Sequence, residues 1–459
     1  MLRRMALPPI VPLPRPLQTL LWIRRPTQVM EYAHLLYGKM FTLRLPAFDL
    51  ALTTDREAIR TIFAAKPDEM HAGRFNRIVR PLVGDSSVLL LDGSEHMHRR
   101  KLLLPSFHGE RMRFYGNTMA DITQRTMAAW REGEAFSLHK HTQEITLQVI
   151  LRTVFGADSS SLDELSARIK QLMSRNDKPM SLLPLLYLSN HPEDQNKVPW
   201  RWLLARRERT DELLYELIRR ARRSGSAQDG RKDVLATLLN ARDEQGEGLS
   251  DTDLRDELMT ALAAGHETTA TSLAWAVERL LANPKSYDSA RDEVRALGPD
   301  PDPERLTALP YLDALIKEVL RMRPVVPLVG RVLMKPYKLA GYDLPIGTSV
   351  GACIYLAQRN PEVYPEPDAF RPERFLGVSP DSSAWFPFGG GLRRCIGASF
   401  AQYEMKIVLG TMLANCDFEL AQPSPVRIVR RTITFTPEGG PRVRARNLAL
   451  SRRPRRHAA

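Results

Sequence analysis

Cysteine is scarce in this chain: three in 459 residues, at positions 353, 395 and 416. An odd, widely spaced set cannot close a disulfide framework, and it lacks the short Cys/His spacing of a structural zinc site. Sparse thiols suit a reducing compartment, so a cytoplasmic protein is expected. Long apolar runs are missing too. The opening stretch MLRRMALPPIVPLPRPLQTLLWIRRP is broken by Arg3, Arg4, Arg15, Arg24 and six prolines, whereas a membrane-spanning helix needs about 20 mostly apolar residues. It also has no signal-peptide core followed by a small-residue cleavage site. Acidic charge is in deficit, 53 Asp and Glu against 66 Lys and Arg. The basic excess gathers in RWLLARRERTDELLYELIRRARRSG and in the terminal SRRPRRHAA. No stacking platform or recognition motif accompanies it, which argues for solvated helix faces and a basic tail and against a nucleic-acid partner.

What is present describes a globular chain: 43% hydrophobic and 26% charged residues leave ample material for a core. FTLRL and DLALT around Pro46-Ala47 read as a hairpin. Helical patterns follow in DREAIRTIF, MADITQRTMAAW, TQEITLQVILRTVFG, LDELSARIKQLM and WRWLLARRERTDELLYELIRRAR. The longest begins at Ser250, which with Asp253 has the spacing of a capping box, and stops before Pro284. From Leu333 to about Ala357 the pattern changes to short strands, and NPEVYPEPDAFRPERF is a proline-rich meander without periodicity. A last helix, ASFAQYEMKIVLGTMLANC, starts just after Cys395. No repeat or long linker divides the chain; the loosest internal stretch is SGSAQDG. A single, mainly α domain with a small β portion is expected over 27–446, with a proline-rich basic segment at 1–26 and a basic tail at 447–459.

Cys395 stands in FPFGGGLRRCIG, with glycines on both sides. Such a cysteine could be a nucleophile, a metal ligand or a core residue, and no base is placed beside it by the sequence. One thiolate suffices for haem iron, because the porphyrin supplies four further donors. Gly389, Gly390 and Gly391 would allow a tight turn and close approach to a flat macrocycle. Backbone N–H groups at the mouth of the next helix would favour thiolate. Phe388 would form an apolar wall, and Arg393 would reach an anionic side group.

Phe388, Gly391, Arg393, Cys395 and Gly397 fill the pattern Phe-x-x-Gly-x-Arg-x-Cys-x-Gly, which resembles the haem-ligand loop of the cytochrome P450 family. Further motifs agree. Glu318 and Arg321 of LIKEVLRMRPVVP lie three apart, and Arg374 of RPERF stands in the meander; the resemblance implies a structural Glu-Arg-Arg triad that locks the meander. HETTA cannot be a zinc-protease motif, since Ala270 replaces the second histidine. The resemblance makes Glu267 and Thr268 an acid-alcohol pair on a long distal helix that bulges there to admit oxygen. It makes His96, Arg100 and Arg331 propionate ligands alongside Arg393, with His98 a bystander.

The resemblance covers about Phe41 to Arg444. It implies the P450 fold, with haem b between the distal helix and the proximal cysteine loop and Cys395 as its axial ligand. It implies a monooxygenase that takes O2 as co-substrate and inserts one oxygen atom into a lipophilic molecule (a fatty acid, terpenoid, steroid or polyketide). With no fused flavin domain, electrons would come from a separate donor such as a ferredoxin and its reductase, and a monomer is expected. A peroxide-driven peroxygenase, a haem-binding sensor and a haem-free interaction protein are the rival classes. Arg74, Arg77 and Arg80 read as surface or haem-edge charges that could instead meet a substrate carboxylate.

Overall fold

The computed structural model describes residues 7–45, 48–107, 110–156, 160–173, 187–188, 191, 201–223 and 233–449. The turn at Pro46-Ala47, SGSAQDG and the tail from 450 therefore lie outside the described residues.

The organising element is the helix Asp251–Leu281, 31 residues long and so about 45 Å from end to end. Ser250 caps it: its hydroxyl accepts from the Asp253 N–H while the Asp253 carboxylate accepts from the Ser250 N–H, satisfying two donors that a helix start leaves orphaned. Apolar side chains occupy most of its circumference, so it is buried on nearly all sides. The helix Leu138–Phe155 lies along it. Thr142 and Thr146 pin the pair by donating to the carbonyls of Ala270 and His266, both at 2.9 Å. Gly265 lets the two helices approach, for a Cβ there would lie 3.1 Å from the Ile150 side chain. Around this pair the helices Glu110–Met127, Pro310–Met322 and Ala398–Asn415 enclose the largest apolar cluster, with Trp275, Leu315 and Met412 inside it.

The β portion is small and peripheral. Met40–Arg44 and Asp49–Thr53 form the expected hairpin, with Met40 opposite Thr53. A five-stranded sheet continues through Ser349–Ala352, which runs parallel to Asp49–Thr53, then Val329–Leu333 and Met70–His71. Beyond Ala352 the expected strand region ends early, since Ile354–Ala357 is one helical turn. A second hairpin, Ile428–Arg431 with Thr434–Pro437, lies against the long helix.

The segment boundary drawn at residue 26 does not mark an end of packing. Thr42 and Val11 share backbone hydrogen bonds across Pro9–Val11, Gln18 is buried, and Trp22 enters the same apolar cluster as Phe41 and Leu52. The prolines there shape two short helices, Arg15–Arg24 and Pro26–Tyr37, the second with its proline at a first position that needs no N–H. Leu448 is likewise buried, so the first residues of the expected tail belong to the core.

Candidate functional site

Cys395 follows a short turn, Gly391–Arg393, and precedes the Ala398–Asn415 helix. Its N–H donates to the Phe388 carbonyl at 2.9 Å, which closes the loop on itself. Gly389 and Gly391 adopt φ of +67° and +62°, the left-handed region where a side chain is strained. The open sides of Gly390 and Gly391, however, face Phe63. A Cβ on Gly391 would sit 1.8 Å from the Phe63 carbonyl oxygen, and one on Gly390 would strike its ring. The expectation that these glycines clear space for a macrocycle is thus corrected: they seat the loop against the end of the Arg56–Ala64 helix. Phe388 packs edge-on to Trp385, with ring centroids 6.3 Å apart.

Cys395 keeps exposure as a residue although protein atoms crowd its thiol. Burial pushes the thiol up from its ordinary pKa; the Gly397 N–H, Arg100 and Arg394 pull it down without prevailing. The backbone donors expected to favour thiolate are present, but desolvation outweighs them in the bare protein. On the long helix, Ala261, Ala264 and Thr268 fall on one face at i, i+3 and i+7, and all three keep exposure in a helix otherwise nearly all buried. Ala261 and Ile396, the neighbour of Cys395, pack against the same apolar cluster.

Basic groups converge beside the loop. His96 and Arg100 lie on one face of the helix Gly93–Leu103, Arg331 is on the strand Val329–Leu333, and Arg393 is in the loop itself. Burial, with Arg393, Arg100 and Arg331, pushes His96 down to about 3. Arg331 is 6% exposed and, among the described residues, donates only to the Gly330 carbonyl; burial, with Arg393 close by, lowers it to about 10. Arg393 pairs with Asp92 at 2.6 Å. That carboxylate already accepts from the N–H groups of Gly73 and Arg74, at 2.8 and 3.0 Å. Of the three guanidiniums, among the described residues, Arg393 alone pairs with Asp92, and Arg100 and Arg331 make no ion pair of their own. Buried charges in proteins are normally paired, and this surplus is a cradle for an anion. Its fit to a haem carrying two propionates, above an interior cysteine, is good. Asp92 gave no signal in the sequence.

Glu267 and Thr268 are adjacent but point differently. The Thr268 hydroxyl donates to the Ala264 carbonyl at 2.7 Å, and Thr269 donates to Gly265 at 3.1 Å. The helix runs without interruption through these residues, so the expected bulge is absent; the hydroxyls bond carbonyls in a turn whose N–H ladder stays intact. Glu267 is 7% exposed. It accepts from Gln143 at 2.7 Å and from Arg431 of the second hairpin, also at 2.7 Å. Burial raises its carboxyl to about 7, with Gln143 and Thr271 pulling it back. Burial also lowers Arg431 to about 10, while the direct contact favours the charged pair. His139 and His266 stand 3.6 and 3.8 Å from the carboxylate. Neither Arg431 nor His139 was legible beforehand, being 164 and 128 residues from Glu267.

The structural triad assembles around Glu318, which like Arg321 is wholly buried. Arg321 holds it with contacts of 2.6 and 2.9 Å, and the Arg371 N–H donates to it at 2.9 Å. Arg374 approaches to 3.5 Å and donates to the Glu366 carbonyl at 2.8 Å. The meander is therefore tied by backbone as much as by side chain. Arg74 and Arg77 are exposed and Arg80 pairs with Asp85 at 2.5 Å. His98, exposed, approaches Asp243 instead.

The sequence profile of the cytochrome P450 family matches residues 8–441. Cytochrome P450 135B1 of Mycobacterium tuberculosis is 38% identical over 448 residues, covering 96% of this chain and 92% of that protein. Cytochrome P450 138 of the same organism is 35% identical over 440 residues, covering 95% and 96%. The solved structure of cyanobacterial CYP120A1 with retinoic acid bound superposes with a TM-score of 0.81 at 26% identity, covering 96% of this chain and 99% of that one. The chain belongs to the cytochrome P450 family and has its fold. It is accordingly a monooxygenase of the oxidoreductase class, from a family that carries haem on a cysteine thiolate and uses O2. No helix among the described residues is long and apolar enough to cross a membrane.

Proposed function

We propose that this enzyme binds haem b through the Cys395 thiolate and inserts one atom of O2 into a lipophilic small molecule. The observation that carries the site assignment is the buried surplus of positive charge beside an interior cysteine. His96, Arg100, Arg331 and Arg393 would hold the two propionates, and Phe388 would shield the sulfur side from water. When bound, the haem supplies reductive activation of O2, with one atom going to substrate and the other to water. Thr268, on the exposed face of the long helix, would hold the distal oxygen and a water by hydrogen bonds. Glu267, titrating near neutrality, would hand protons forward and be recharged from behind.

Segments 325–330 and 431–437 would line the substrate side, mainly with apolar and small polar groups beside Arg431. A fatty acid, terpenoid, steroid or polyketide suits that lining. The retinoic acid in CYP120A1 puts retinoids first among compounds to try. Electrons would come from a separate ferredoxin and reductase, whose acidic surface complements the net charge of +13; a soluble cytoplasmic monomer completes the reading.

The test is spectroscopic. The reduced carbon monoxide complex of the purified protein should show the red-shifted Soret band of thiolate-ligated haem, and Cys395→Ser should lose it. Retention of that band in the serine variant would rule out this ligand. A binding-difference screen over lipophilic compounds, followed by turnover with a ferredoxin couple against turnover with peroxide, separates monooxygenase from peroxygenase and from sensor.

A further inference from the structure

Asp92 stands just before the helix Gly93–Leu103, and its carboxylate is fixed from three sides. The N–H groups of Gly73 and Arg74 donate to its two oxygens at 2.8 and 3.0 Å, and Arg393 donates to Oδ1 at 2.6 Å. Position 73 has to be glycine for this. A Cβ there would lie 1.9 Å from the Leu90 carbonyl oxygen and 2.8 Å from Asp92 Oδ2. His71 Nδ1 stands 3.6 Å from the same carboxylate oxygen, beyond hydrogen-bond reach. The field of Asp92 reaches further than its contacts. On both Arg331 and Arg393, which burial lowers to about 10, Asp92 is the anion that acts against burial. Among the described residues no carboxylate acts on Arg100, also lowered by burial; Cys395 acts for its charge and the exposed Arg394 against it. His96 stays neutral, held down to about 3 by burial and these three arginines. Three guanidiniums less one carboxylate leave two positive charges, and haem b carries two propionates.

We propose that Asp92 is the charge-balancing residue of the haem site: by leaving a surplus of two it matches the propionates, and so sets the reduction potential of the bound haem. The inference rests on the haem assignment proposed above. Taking up one electron places one further negative charge in the site. Fixed negative charge nearby opposes that uptake and fixed positive charge favours it, most strongly where water is excluded. With Asp92 in place, arginines and carboxylates cancel and the potential stays low. With Asp92 neutralised, one positive charge stands unmatched and the ferrous state gains. Asp92 acts through Arg393 and through its field, so it is a positioning residue.

The measurement is a spectroelectrochemical titration of the haem-loaded protein at constant pH and ionic strength. In Asp92→Asn the ratio of ferrous to ferric haem at a fixed potential should rise by at least about twofold. A rise of about tenfold would be a positive shift of about 59 mV for one electron. Asp92→Glu, which keeps the charge, should stay within about twofold of wild type. Arg331→Leu, which removes one positive charge, should move the ratio the opposite way. Should Asp92→Asn fold poorly by itself, the same comparison is made in the Arg331→Leu background, where adding it restores the balance and should raise the ratio from that of its parent. A ratio in Asp92→Asn within about twofold of its parent overturns the proposal. So does an equal rise in Asp92→Glu, which would trace the change to lost packing and not to charge. A wild-type protein without the red-shifted carbon monoxide band would instead remove the haem reading itself, whichever way the potential moves.

Discussion

Two buried charge clusters serve this molecule in opposite ways. Around Glu318 the charges are matched: Arg321 spans the carboxylate, Arg374 approaches it to 3.5 Å, the Arg371 N–H donates to it, and the Gln358 carbonyl accepts from Arg321. Beside Cys395, Arg393 pairs with Asp92, which backbone N–H groups already occupy, while Arg100 and Arg331 have no ion pair among the described residues. The first cluster is complete as folded and holds the meander to the Pro310–Met322 helix. The second is incomplete as folded, and the proposed haem propionates would complete it. A buried charge cluster that closes on itself is architecture, and one left with a surplus is a candidate binding site.

The comparison is broken most severely from the complete side. Glu318→Ala strands the wholly buried Arg321, and loss of one partner of such a pair costs about 3–5 kcal/mol. The variant should yield little soluble protein, and its denaturation midpoint should fall steeply; a midpoint near wild type would show that Glu318 is not the tie described. From the incomplete side the expectation inverts. Arg331→Leu removes a buried charge with no carboxylate of its own, so haem-free stability should change by less than about 1 kcal/mol. Haem content per chain should nevertheless fall severalfold, read from absorbance against protein concentration. Equal haem content would empty the cluster of its assigned role.

Smaller effects sharpen the picture on the long helix. Thr268→Ala removes one hydroxyl-to-carbonyl bond, worth about 1 kcal/mol, and should leave haem content intact while diverting reductant to peroxide or water. Unchanged coupling of reductant use to product would defeat the role given to Thr268. Glu267→Gln should flatten a pH dependence of stability. The folded-state pKa of about 7 lies above the ordinary 4.5. The stability that protonated Glu267 contributes is therefore full below about 4.5 and lost as pH rises through 7. With Arg431 offsetting part of the burial, the glutamine variant should gain on wild type by on the order of 1 kcal/mol across that window. Parallel pH profiles for the two proteins would contradict the raised carboxyl.

Much of the fold was legible because its signals are local. The capping box at Ser250 and Asp253, the 3.6-residue periodicity of the long helices, and the hairpin at 40–53 are set by neighbours a few residues apart. The cysteine loop was legible for the same reason, since five fixed positions within ten residues carry it. The glycines beside it were misread: their absent side chains make room for Phe63, more than 300 residues earlier, and no spacing within the loop reports that contact. The proline-rich basic segment at 1–26 gives no local sign of its packing, yet its prolines bend the chain so that Val11 and Trp22 can bury.

Sequence by itself determined the class of the protein, the axial cysteine candidate and the identity of the groups at each end of the site. Only the tertiary structure decided what those groups touch: Asp92 shared by Arg393 and two backbone donors, and Glu267 turned away from Thr268 toward Arg431, Gln143 and His139. The physical reason is one of range. Helix period, caps and turns are fixed by interactions along a few bonds of chain, whereas the charge state of a buried carboxylate depends on whichever distant side chains the packing of helices and hairpins brings within a few ångströms.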